Sequence, residues 1–223
     1  MPINIDAYNT ILKELSSKNV MLVAVSKTKP TTDIEALYAL GQKDFGENYV
    51  QELVDKQAAL PKDIRWHFIG HLQSNKVKYI APFVHLIQGV DSLKLLQEIN
   101  KQGIKNNRII NCLLQIHIAQ EETKFGLDET ELAAVKEVLS SLANVRICGM
   151  MGMASFSDDL EKVSKEFNYL QLLFNRFSAT LIDNNSFTTL SMGMSGDYQL
   201  AINCGSNMVR IGSLLFGTRN YTK

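Results

Sequence analysis

The chain has 223 residues, 45% hydrophobic and 21% charged, enough to enclose one large apolar core, so a single domain spanning 1–223 is expected. Lysine plus arginine and aspartate plus glutamate balance at 23 each, so no net field draws the protein onto nucleic acid or anionic lipid, and neither is an expected partner. Apolar runs fall short of the roughly 18 to 20 residues of a membrane span, the N-terminus MPINIDAYNT lacks a secretory pattern, and Cys112, Cys148 and Cys204 are too scattered for a CxxC pair, so a cytoplasmic protein with small, buried cysteines is expected.

An amphipathic helix opens the chain, with Ile5, Tyr8, Ile11, Leu12 and Leu15 on one face. Short β-type runs then alternate with helical patterns to the end. Strands are predicted at 20–25, 44–46, 65–69, 86–89, 109–118, 145–150, 188–191 and 208–211, and helices between them at 32–40, 49–60, 75–83, 92–104, 128–142, 158–182 and 198–203, with a short one at 213–216. Thr32 and Glu35 read as a capping box for the second helix, which Gly41 closes. Each strand and helix together take about 20 to 35 residues, the size of one βα unit, and eight such units close into a parallel barrel. The rival topology, an open doubly wound sheet, lacks its G-x-G-x-x-G after the first strand. The expected fold class is therefore α/β, a single (β/α)8 barrel with an extra N-terminal helix.

Working residues of such barrels sit just past the carboxyl ends of strands. The first strand runs into Ser26-Lys27-Thr28-Lys29-Pro30, and strand alternation puts Val23, Val25 and Lys27 on one side. If that side faces inward, Lys27 enters the barrel mouth, where desolvation favours the neutral, nucleophilic amine that attacks an aldehyde to form a Schiff base. Lys29 shares the parity but precedes Pro30, which favours an extended loop. On these grounds alone a solvated loop lysine is the more common outcome. The last two loops shift the balance. Leu190-Ser191-Met192-Gly193-Met194-Ser195-Gly196 offers hydroxyls and glycine amides to an anion, and Val209-Arg210-Ile211-Gly212-Ser213 opens a short helix, so the amides of Ile211 and Gly212 point toward the same anion. Arg210, at the end of the last strand, is placed to donate to a cofactor's ring nitrogen, with a salt bridge across the barrel mouth as its plainer role.

These residues resemble the pyridoxal phosphate homeostasis proteins, once described as proline synthetase co-transcribed homologues. The likeness covers nearly the whole chain: residues 23–30 (VAVSKTKP), 45–52 (FGENYVQE), 66–76 (WHFIGHLQSNK), 190–195 and 205–212 (GSNMVRIG), continuing to Phe216-Gly217. The resemblance implies a barrel like the N-terminal domain of alanine racemase, pyridoxal 5′-phosphate as cofactor, and Lys27 as its Schiff-base lysine. It further implies that Ser191, Ile211 and Gly212 hold the phosphate, that Arg210 faces the pyridine nitrogen, and that Asn48 neighbours ring or phosphate, a residue whose simpler role is capping the helix at 49–60. Family members are regarded as carriers or buffers of the cofactor, which implies a role in its intracellular homeostasis, with PLP-dependent apoenzymes as recipients, a monomeric state and no catalytic residue. His117 departs from the pattern, where an asparagine is expected, and residues 121–126 (EETKFG) read as a barrel-mouth loop.

Two rivals stand beside the carrier. Racemisation needs an acid/base group on each face of the substrate, and Lys27 serves one face only. In alanine racemase the opposing tyrosine comes from a second domain, and this chain stops at Lys223. A scaffold acting through a protein partner makes no use of Lys27. No metal site is expected: His67 and His71, four apart, straddle a strand end rather than sharing a helix face, and His85 reads as structural. The methionines at 150–153 are expected to pack beneath the cofactor.

Overall fold

In the computed structural model, which describes residues 3–119, 125–181 and 185–217, eight parallel strands close into one barrel in chain order, the last pairing with the first. The strands are β1 (Met21–Val25), β2 (Asp44–Glu47), β3 (Arg65–Phe68), β4 (Leu86–Val90), β5 (Ile110–Ile116), β6 (Val145–Gly152), β7 (Thr189–Met194) and β8 (Met208–Ile211). Around them run α1 (Ile5–Ser17), α2 (Thr31–Ala39), α3 (Val50–Ala59), α4 (Val77–Ile80), α5 (Leu93–Lys105), α6 (Glu129–Val138), α7 (Leu160–Ser178), α8 (Tyr198–Asn203) and α9 (Ser213–Phe216). Among the described residues no helix is long and apolar enough to cross a membrane.

Alternation along each strand divides the apolar side chains into two cores. Outward residues such as Ala24, Phe45, Trp66, Phe68, Ile87 and Ile211 pack against helix residues including Ile34, Leu37, Leu53 and Phe167. Each such large side chain, fully buried, contributes roughly 1.5 to 3 kcal/mol. Inward, Val23, Leu86, Leu113, Met151 and Met208 form a smaller apolar cluster in the lumen. Polar side chains share that lumen: Asp44, His67, Gln88, Gln115, Ser191 and Arg210 are all buried.

Three boundaries differ from the sequence reading in ways that matter for the site. Helix α2 starts one residue early on Pro30, which has an extended backbone and makes no side-chain cap bond, so the Thr32–Glu35 box does not form; Asp128 and Glu131 form one instead at the start of α6. Tyr49, not Asn48, is the N-cap of α3. Strand β7 runs three residues past Ser191 because it carries a bulge: Ser191 pairs with Met208 and Met194 with Arg210, so three steps on β7 face two on β8. Gly193 makes the bulge at φ +94°, where an added Cβ would come within 2.6 Å of the Ala201 Cβ. Elsewhere, β5 ends at Ile116, the stretch 75–83 forms only a short turn and α4, and α7 stops at Ser178, with residue 182 of the expected helix outside the described residues. Cys112 and Cys204 are buried as expected, but Cys148 is only partly so.

Candidate functional site

A cavity of about 630 Å³ opens at the carboxyl ends of the strands, within the range typical of small-molecule sites. Lys27, Asn48, Arg210 and Gly212 all line it. Barrel closure explains the gathering: β1 lies beside β8, with Val23 opposite Arg210 and Ala24 opposite Ile211, so residues nearly two hundred positions apart share one wall.

Lys27 extends from the end of β1 on the side expected from its parity, since Val23 belongs to the lumen cluster while Val25 and Lys27 both line the cavity. Lys29 lines it too, but its Nζ donates to the carbonyls of Phe216 at 2.6 Å and Gly217 at 3.3 Å, tying it to the end of α9. The loop bearing Lys27 is clamped from behind. Buried Lys56 donates to the Ser26 carbonyl (2.8 Å), Glu47 Oε1 (2.8 Å) and Glu52 Oε1 (2.7 Å); the Ser26 hydroxyl donates to Glu47 Oε1 (2.6 Å); the Thr28 N–H donates to Glu52 Oε1 (2.6 Å). That last bond fastens a strained residue, because Thr28 sits at φ +63°, a left-handed backbone that β-branched side chains rarely adopt. Burial raises the Glu47 carboxyl above its ordinary value despite the Lys56 ammonium, and Glu47 Oε2 has no hydrogen-bond partner.

Asn48, at the end of β2, carries a buried Oδ1 that also makes no hydrogen bond. Arg210 is 4% exposed, and its hydrogen bonds run to neutral oxygens: the Ser191 carbonyl (2.9 Å), the Ser191 hydroxyl (2.7 Å) and the Gly152 carbonyl (3.0 Å). Burial lowers its pKa to about 10, against the opposing pull of Asp197, which still leaves it a cation at neutral pH. Opposite stands the β7–α8 loop with Ser195, Gly196 and Asp197, beside Gly212 and Ser213. The Gly212 N–H donates to Ser195 Oγ at 3.2 Å. An added Cβ on Gly212 would sit 3.1 Å from the Val25 carbonyl, so glycine permits this close seam between β8 and β1.

Of the residues expected at the phosphate, Ser191 lies elsewhere, and Ile211 offers its backbone alone. Ser191 is fully buried in the lumen beneath the cavity, because the bulge carries the loop three residues further on; its hydroxyl donates to Gln88 Oε1 at 2.7 Å. The Ile211 side chain turns outward into the helix-facing core. Met153 lines the cavity and Met151 packs in the lumen beneath it, whereas Met150 faces the helices. His71 bonds Asp91 at 2.7 Å and stacks on Phe125 at 4.1 Å; residues 120–124 of the adjoining loop lie outside the described residues. At the opposite end of the barrel Asp44, His67 and His85 bring possible ligand atoms within 4.8 Å of one another, but both Asp44 oxygens already accept hydrogen bonds from Arg65. The Glu47–Lys56–Glu52 clamp, Gln88 and Glu166, whose carboxylate takes the N–H and hydroxyl of Ser155 on the cavity wall, were not singled out from sequence. The available signal was parity: Gln88 and Ser191 are polar residues at inward positions of apolar strands.

The model for the alanine racemase N-terminal domain matches residues 4–220. A pyridoxal phosphate homeostasis protein of Pasteurella multocida is 42% identical over 207 residues, covering 92% of this chain and 88% of that protein. This chain belongs to the pyridoxal phosphate homeostasis protein family. The human homeostasis protein is 38% identical over 223 residues, covering 95% of this chain and 81% of its own length. Among solved structures, PipY of Synechococcus elongatus PCC7942, 34% identical, superposes with a TM-score of 0.86 without PLP and 0.83 with PLP bound, each across 92% of this chain and 98% of PipY. PipY thus shares this fold over almost its full length.

Proposed function

We propose that this protein binds pyridoxal 5′-phosphate in the barrel-mouth cavity and serves intracellular homeostasis of the cofactor, storing, protecting or delivering it. The observation that carries the reading is the shared location of Lys27, one buried arginine and a hydroxyl and amide cradle in a single cavity of sufficient size, whose other lysine, Lys29, is tied to the carbonyls of Phe216 and Gly217. The residues fit the group. Asn48 Oδ1 is an acceptor with no partner, and Arg210 is a buried cation held by neutral oxygens. PipY, with PLP bound, supports the same assignment.

When bound, pyridoxal 5′-phosphate supplies an aldehyde carbon that a primary amine can condense with. Lys27 offers that amine, its loop fixed by Lys56 and Glu52. Ser195, Ser213 and the backbone of Ile211 and Gly212 would hold the phosphate, the Gly212 N–H and Ser195 hydroxyl turning from each other to the anion. Arg210 would donate to the ring nitrogen and, keeping its own proton, deliver none to it, which disfavours carbanion chemistry. Asn48, whose amide oxygen has no partner, would lie beside the ring or the phosphate. Ser191 is reassigned from the phosphate to the support of Arg210. The reading extends to a cytoplasmic monomer whose recipients are PLP-dependent apoenzymes.

Titration of the purified protein with pyridoxal 5′-phosphate, followed by visible absorbance, tests this. A saturable band is expected for the native chain, and for Lys27→Ala no band and about tenfold or weaker binding, the loss of at least 1.4 kcal/mol. An unchanged band in Lys27→Ala would remove Lys27 from the site.

A further inference from the structure

Arginine only donates hydrogen bonds, and that fact orients a row of side chains behind the cavity. Arg210 Nη1 donates to Ser191 Oγ at 2.7 Å, so the Ser191 proton must point away, toward Gln88 at 2.7 Å, and the Gln88 atom it meets must be Oε1. The Gln88 amide nitrogen then faces His67 Nδ1 at 3.0 Å, with a second contact to Met208 Sδ at 3.2 Å. His67 Nδ1 therefore accepts, its proton sits on Nε2, and Nε2 donates to Asp44 Oδ1 at 3.0 Å. Arg65 Nε closes the row by donating to the same Asp44 oxygen at 2.7 Å. Every link from Arg210 to Asp44 runs in one direction, through five side chains at most 5% exposed. It crosses the lumen from β8 and β7 through β4 to β3 and β2.

We propose that Gln88 and His67 are positioning residues for Arg210, a directed hydrogen-bond chain that fixes the guanidinium at the cavity floor from the far end of the barrel. The lumen gives it reason to exist. A cation with only neutral acceptors around it has no ion pair to set its rotamer, and the Ser191 hydroxyl can hold its lone pair toward Arg210 only if its own proton has a fixed acceptor. Gln88 is that acceptor, and His67 fixes which end of the Gln88 amide faces Ser191. Asp44, bonded by Arg65 and His67, anchors the terminus as a pure acceptor. The chain thus sets how Arg210 presents its remaining donors to the bound ring, a consequence that rests on the pyridoxal phosphate reading above.

The decisive experiment compares Gln88→Leu and His67→Phe with a lumen control outside the chain, Leu113→Met, a volume-conserving change in the apolar cluster. The first readout needs no cofactor: hydrogen exchange of the Arg210 side-chain N–H groups, followed by ¹⁵N NMR and assigned with Arg210→Lys. Both chain variants are expected to speed that exchange about tenfold or more, the weight of one hydrogen bond to a charged group, with Leu113→Met unchanged. The second readout is the visible maximum and dissociation constant of bound pyridoxal 5′-phosphate. The chain variants are expected to move the maximum and weaken binding about tenfold. Native exchange and an unmoved maximum in a folded Gln88→Leu protein, or equal changes in Leu113→Met, would overturn the proposal. If Gln88→Leu does not fold, Gln88→Met is read by the same signals. Absence of cofactor binding in the native chain would refute the pyridoxal phosphate reading alone, since the exchange data still decide whether the chain holds Arg210.

Discussion

Lys27 and Lys29 differ by two positions and share a face, yet the structure gives them different work. Lys29 is tied to the carbonyls ending α9, whereas Lys27 sits on the clamped loop at the cavity wall. Strand parity puts both on one face, and in sequence only Pro30 after Lys29 ranks Lys27 first. Parity alone did not place Ser191, because the bulge at Gly193 keeps β7 extended through a stretch whose glycines and serines read as a loop. Nor could it reveal partners that come from other strands, as with Asp44. Burial by itself would raise the Asp44 carboxyl, but hydrogen bonds from Arg65 and His67 outweigh it and hold the group well below the usual carboxylate range. A carboxyl depressed in the folded state stabilises fully above its unfolded value of about 3.9, and that contribution is lost as pH falls through the folded value. The urea midpoint of the native chain is therefore expected to fall below about pH 4 more steeply than that of Asp44→Asn. Parallel profiles for the two proteins would contradict this role for the carboxylate.

The β1–α2 loop is the element on which the site depends, and its conformation is imposed rather than intrinsic. Thr28 holds a backbone that its own side chain disfavours, with the Glu52 carboxylate bonded to its N–H and to Lys56. The eight strands were legible because their apolar runs and the intervening helical patterns are local signals. The clamp was not, because Glu47, Glu52 and Lys56 look in sequence like ordinary polar residues around a helix start, and only the packing of α3 behind β2 buries Glu47 and Lys56 and half-buries Glu52. Removing the cation strands buried carboxylate charge. Lys56→Met is expected to cost about 3 to 5 kcal/mol by denaturant unfolding and to weaken cofactor retention with it. A loss below about 1 kcal/mol would place the loop's support elsewhere.

At the scale of the whole molecule, closure of the barrel is what builds the site. Lys27 follows the first strand and Arg210 ends the last, and they share a wall only because β1 and β8 pair. In an open sheet of the same elements the two would stand on distant strands. The count of eight βα units was readable from the chain, and it carried the expectation that an amine and an anion cradle would meet at one end. The polar row through the lumen depends on the same closure, since it joins strands on opposite sides of the cylinder. Borohydride reduction of the protein loaded with pyridoxal 5′-phosphate, followed by peptide mass mapping, tests the central claim most directly. The pyridoxyl group is expected on the peptide carrying Lys27, at that residue. Its recovery on Lys29, or its spread over surface lysines with Lys27 unmodified, would contradict the account.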